Sequence, residues 1–192
     1  MSLAQPIPPH EGLEEIELGL LNFPDLKAST TLGSLIDIPS RQLSVAEYRE
    51  WINGVEQKVY GLPGSVNSEV DTGESIGLAV SHTVTPGLYV RELTMPAGLL
   101  IVSRIHLREH PFYILSGEVS VYDGDSVSTY VGPYKGITKP GTKRVLYTHK
   151  DTVWVTFHVT DKTSVEDLEK SGELVCDEFE DFDAIVNREV TV

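Results

Sequence analysis

Two histidines four residues apart, in His106-Leu107-Arg108-Glu109-His110, are followed at once by Pro111 and the apolar run Phe112-Tyr113-Ile114-Leu115. On a helix this spacing is half of a zinc site. Pro111 and the aromatic and β-branched residues after it predict a strand instead. Side chains two apart on a strand share a face. Arg104 therefore falls on the face of His106, and His110 on that of Phe112 and Ile114. Arg144, Leu146 and Thr148 make a third set. Trp154, Thr156 and His158 make a fourth, alternating with Val153, Val155, Phe157 and Val159. Register decides which of these last two sets faces inward, and the favoured expectation leaves His158 at a sheet surface.

These residue types offer two kinds of chemistry. Neutral imidazole ligates Zn, Fe, Mn or Ni, so His106 and His110 are candidate metal ligands, with His158 a third if its register turns it inward. Two nitrogens fall short of the three that a catalytic zinc takes, so a barrel without any cofactor is the favoured expectation. Guanidinium cannot ligate a metal, but its fork can clamp a carboxylate or phosphate. Arg104 and Arg144 are the candidate anion clamp. Once buried they need a partner, either a bound anion or an acid such as Glu92, Glu109 or Glu118. Between Arg104 and Lys150, seven Lys and Arg face four acids, which favours an anion there. Tyr113 adds a group able to donate or accept a proton. No Ser-His-Asp order, P-loop or Gly-x-Gly-x-x-Gly is present, so nucleophilic hydrolysis and nucleotide chemistry have no support and no catalytic residue is assigned.

Short strands must position these residues. Gly87 to Met95, Gly98 to Ile105, Pro111 to Leu115, Glu118 to Tyr122, Ser126 to Val131, Arg144 to Tyr147 and Thr152 to Val159 read as strands between Gly, Pro and Asp turn signals. Close spacing without long intervening helices predicts a mainly β sandwich or barrel. This zone spans 81–160. An N-terminal extension, 1–80, precedes it. It has a Pro-rich head (Pro6, Pro8, Pro9), a short helix expected within Glu11 to Asn22, and a helix from Ser44 to Asn53 or a little beyond. That helix opens on the capping box Ser44-x-x-Glu47. A loop is expected over 61–77. The tail, 161–192, holds eleven acids against three bases. It opens with a short helix to Lys170, ended by Gly172. Ala184 to Val192 reads as an edge strand.

The chain has 192 residues, 15 Lys and Arg, 29 Asp and Glu, and a net charge of -14. That balance opposes binding to nucleic acid or to an anionic membrane. Cys176 is the one cysteine, which excludes an internal disulfide and a multi-cysteine zinc site. The first fifteen residues lack the basic and apolar regions of a signal peptide, and no apolar run is long enough to span a bilayer. A cytoplasmic protein is expected, in contact with copies of itself or with neighbouring subunits through the head and the acidic tail.

Gly98 to His158 resembles a cupin, the small β-jelly-roll barrel. In that pattern Gly98 leads, Arg104 and His106 stand at the two histidine positions, His110 at the glutamate position, and Gly117 closes the first motif. Lys139-Pro140-Gly141-Thr142-Lys143-Arg144 matches the second motif, with Arg144 at its histidine. The resemblance implies a jelly roll whose metal site is partly rewritten, with His110 a replacement ligand. Gly87 to Leu93, the His-x3-His-x6-Gly-Glu block and Asp151-Thr152-Val153-Trp154 resemble cupin-like proteins encoded by tailed bacteriophages. That resemblance implies a non-enzymatic structural or assembly protein, a capsid-decoration or tail-associated virion component, located in the virion if phage-encoded. The alternative it leaves is a divalent-metal cupin enzyme or sensor for a small carboxylate or sugar acid.

Overall fold

The structure is a computed structural model that describes residues 19–22, 32–62, 65–67 and 76–189. The head, with His10, lies outside the described residues, as does most of the 61–77 loop. The element order is β1 (Gly19–Asn22), α1 (Leu32–Leu35), α2 (Val45–Tyr60), β2 (Ser65–Asn67), β3 (Ala79–Thr85), β4 (Gly87–Met95), β5 (Leu99–Val102), β6 (Ile105–His106), β7 (His110–Tyr122), β8 (Val127–Val131), β9 (Tyr134–Thr138), β10 (Val145–Thr160), α3 (Val165–Ser171), β11 (Val175–Cys176) and α4 (Phe179–Glu189).

The expected antiparallel β sandwich is present, and two long strands build both of its layers. The first half of β7 pairs with β9 and the second half with β8. The first part of β10 pairs with β5, and the last part with β4. Both strands change layer where Ser116-Gly117 faces the register shifts of 148–154. Gly117 has φ +98°, and a Cβ there would lie 2.5 Å from the Asp151 carbonyl oxygen, so the crossover requires glycine. One layer runs β9-β7-β10-β4-β3 and the other β8-β7-β10-β5-β1-β2. Strand breaks expected at Ser116-Gly117 and His149-Lys150-Asp151 are bulges within continuous strands. The segment 19–22, expected in a helix, is a strand on β5.

Leu99 to Val102 are all buried because the second layer is covered on both faces. Leu99 and Ile101 join Leu93, Phe112, Ile114, Leu146 and Trp154 between the layers. Leu100 and Val102 pack with Tyr122, Val145 and Tyr147 against Ile52, Val55 and Val59 of α2. That stripe, at i, i+3 and i+7, carries α2 through Asn53-Gly54 to a cap at Gly61. Ser44 and Glu47 form the expected capping box. At the other end, 179–189 is a helix rather than an edge strand. Phe179 is buried, and Arg49 grips Asp183 with bonds of 2.6 and 2.9 Å. Helix α2 and the described part of the tail are thus packed on the barrel by their own side chains. No helix among the described residues is long and apolar enough to cross a membrane.

Candidate functional site

His106, His110 and His158 come together inside the sandwich. His106 ends β6, which is held beside the Pro140-Gly141 turn: its N–H donates to Thr142 O at 3.0 Å, and its carbonyl accepts from Gly141 N–H at 2.8 Å. His110 opens β7 on the face of Phe112 and Ile114, and is 2% exposed. His158, expected at a sheet surface, instead lies on the inward set of β10 with Trp154 and Thr156, and is 6% exposed, because the register against β4 and β7 turns that set to the core. The His106 and His110 ring centroids are 4.7 Å apart, and those of His110 and His158 4.2 Å.

Hydrogen bonding in the cluster is incomplete. His110 Nδ1 lies 3.0 Å from the Arg108 carbonyl oxygen, which makes it a donor. Its Nε2, and Nδ1 of His106, are buried with no hydrogen-bond partner among the described residues. His158 Nε2 lies 3.0 Å from Thr156 Oγ1. Among the described residues, no group of three or more His, Cys, Asp or Glu side chains already surrounds a metal position.

Electrostatics keep the rings neutral. Burial, then the Arg144 charge, hold His106 well below the ordinary histidine value. Burial also lowers His110, against its bond to Arg108, and pushes His158 down to about 3. Neutral imidazole is the ligating form. Beyond His158 the stack continues outward. Tyr89 packs on His158 with centroids 5.7 Å apart, and its hydroxyl meets Nδ1 of His82 at 2.7 Å.

The two expected clamp arginines part company. Arg144 is buried in the barrel, its guanidinium 5.5 Å from the Phe112 ring centroid and 5.6 Å from that of Trp154. Among the described residues its guanidinium makes one hydrogen bond, donated to Thr138 Oγ1 at 2.5 Å, and no ion pair. Arg104 instead holds Asp177 through Nε and Nη2 at 2.5 and 2.8 Å. It precedes the two-residue β6, so strand alternation does not carry it inward. The acids weighed as arginine partners lie elsewhere: Glu118 pairs with Lys150, Glu92 is on the outer face opposite Ser81, and Glu109 is exposed. Tyr113, 40% exposed, also points outward, since Phe112 and Ile114 beside it are core.

Arg91 is the interior residue that the sequence reading passed over. It shares the inward face of β4 with Tyr89, Leu93 and Met95, and its charge depresses His82, His106 and His158. The alternation in Gly87-Leu88-Tyr89-Val90-Arg91-Glu92-Leu93 was the available signal. The barrel interior therefore sets Arg91 and Arg144 around three neutral imidazoles.

No family profile matches the chain, and no curated protein matches it in sequence. Solved structures share parts of its shape. An acetylacetone dioxygenase from Acinetobacter johnsonii is 17% identical over 43% of this chain and 60% of its own, with a TM-score of 0.38. The chain thus spans about 60% of that protein's length. An RmlC-like cupin from Shewanella frigidimarina is 13% identical over 48% of this chain and 81% of its own, TM-score 0.39. A cupin superfamily protein from Desulfitobacterium hafniense is 9% identical over 44% and 78%, TM-score 0.40.

Proposed function

We propose that this jelly roll is a cupin-like binding protein that holds a divalent metal (Zn, Fe, Mn or Ni) and a small carboxylate inside its barrel. One observation carries the reading: His106 Nδ1 and His110 Nε2 are buried, partnerless and in touching rings. Buried polar atoms in folded proteins are almost always satisfied, which supports a bound group at these two nitrogens. His106 and His110 would supply those nitrogens, and His158 a third on giving up Thr156. The metal, when bound, supplies a Lewis acid that polarises a ligand oxygen. Arg144, its guanidinium beside the Phe112 and Trp154 rings, makes no ion pair among the described residues, which suits a carboxylate. Arg91 adds positive charge to the same interior.

Titration calorimetry with malonate as the probe tests this. Zinc-loaded protein is expected to bind malonate, and Arg144→Met to weaken binding about tenfold or more, the loss of a charged hydrogen bond. Binding indifferent to both zinc and Arg144 contradicts the proposal.

The second reading is a non-enzymatic assembly subunit, such as a bacteriophage virion component. The exposed Leu115, Ile137 and Val159 on the outer sheet favour it. It needs no occupied site and no turnover.

A further inference from the structure

The outer face of the β9-β7-β10-β4-β3 layer is largely apolar across β9, β7, β10 and β4, in a chain of net charge -14, and turns polar on β3. Its outward residues follow from the register. Ile137 lies beside Pro111, Phe157 beside Val90, and Val90 beside Thr83. The parallel row on one side holds Leu115, Val153, Thr94 and Ala79, and at the far end Leu88 and Val159 pair. Val159 is 78% exposed, Ile137 56% and Leu115 52%. Antiparallel sheets usually turn a polar face to water, and contiguous apolar patches of this kind mark interaction sites.

Within this layer (residues 134–138, 110–116, 153–160, 87–95 and 79–85) two outward residues are charged, and one row contains both; Glu118, Lys150 and Asp151 lie at the crossover beside it. Lys135 pairs with Tyr113, Tyr113 with Val155, Val155 with Glu92, and Glu92 with Ser81. Lys135 and Glu92 are three strand spacings apart, about 14 Å, too far to pair within one sheet. Neither makes an ion pair among the described residues.

We infer that this face packs against the same face of a second copy. A two-fold axis parallel to the strands, passing between β7 and β10, reverses the row. It sets Lys135 of each copy opposite Glu92 of the other and brings the apolar rows together, the self-complementarity that an isologous interface requires. An axis along the row would set Lys135 against itself, so the charges select the orientation. The face measures roughly 20 by 20 Å in projection, about 400 Å², at the small end against a standard interface of about 800 Å² of accessible surface per partner.

Sedimentation equilibrium of the full chain over a concentration series is the test. The wild type is expected to dimerise. Lys135→Glu and Glu92→Lys each place like charges together and should weaken dimerisation about tenfold or more. The double variant restores the opposite pairing and should recover most of the loss. Both changed residues lie on the outer face, so folding is not at stake. A monomer at every concentration overturns the inference and leaves the face to another partner or to a segment of the chain's own N-terminus. A dimer indifferent to both charge reversals overturns it as well.

Discussion

Lys143→Ala is expected to destabilise the protein by about 3–5 kcal/mol, the cost of breaking a buried ion pair. Lys143 is 2% exposed, and its ammonium lies 2.8 Å from Glu56, on α2. Asn53 Oδ1 and the Asp177 carbonyl oxygen, both at 3.5 Å, complete its surroundings. Its side chain thus ties the second barrel layer to α2 and to the stretch before α4. Alanine leaves a cavity and a carboxylate without its cation. Lys143→Met combined with Glu56→Gln removes both charges and keeps the volume, so it should recover most of the stability. Thermal unfolding measures this: a loss of about 10 °C for the alanine variant is expected in a domain of this size. A loss within about 1 kcal/mol would show that α2 is held by its apolar stripe alone.

The second large effect is acid sensitivity. His106, His110 and His158 are all held below the ordinary histidine value, chiefly by burial, and Arg144 and Arg91 add to the shift. The unfolded chain protonates them near pH 6.5 while the folded barrel refuses the proton. Stability is therefore complete above about pH 6.5 and falls as pH drops below it, down toward the folded value of about 3 for His158. Each such group removes up to about 1.4 kcal/mol per pH unit, so the cluster should give a slope of roughly 2–4 kcal/mol per unit between pH 6.5 and 5. Carboxylates mostly titrate lower, and His82, pushed down to about 4 by burial and then by Arg91, adds to the slope in the same window. Denaturant unfolding of metal-free protein at several pH values checks it, and a flat profile from pH 7 to 5 would show that the rings are solvated.

The sequence made the barrel legible because its strands carry apolar alternation between clear turn signals. It also split two strands wrongly. Glycine and polar residues mark bulges as well as turns, and only the partner strand shows which is present at Gly117. β3 was hidden by its polar outer face, Ala79, Ser81, Thr83 and Thr85, and β9 by its length and its glycine. In the tail, Ile185 and Val186 read as strand by residue type. Phe179 and Phe182, at helical spacing, and the Arg49–Asp183 pair decide for a helix.

At the site, His106 and His110 were readable as a pair because Pro111 places the second at a strand start. Arg104 misled because alternation holds only inside a continuous strand. Its partner, Asp177, is 73 residues away, where no local pattern points. His158 could not be placed until the register of β10 against β4 and β7 was known. Arg91 needed the same register, although its place in the alternation of β4 was visible.

The most direct test of the central claim is the metal content per chain of protein purified without chelators or a histidine tag, measured by elemental analysis. The buried, partnerless nitrogens of His106 and His110 predict about one Zn, Fe, Mn or Ni per chain, lost in both His106→Ala and His110→Ala. Wild-type protein with metal far below one per chain, unchanged on adding Zn or Mn, would contradict the account and leave the barrel a structural scaffold.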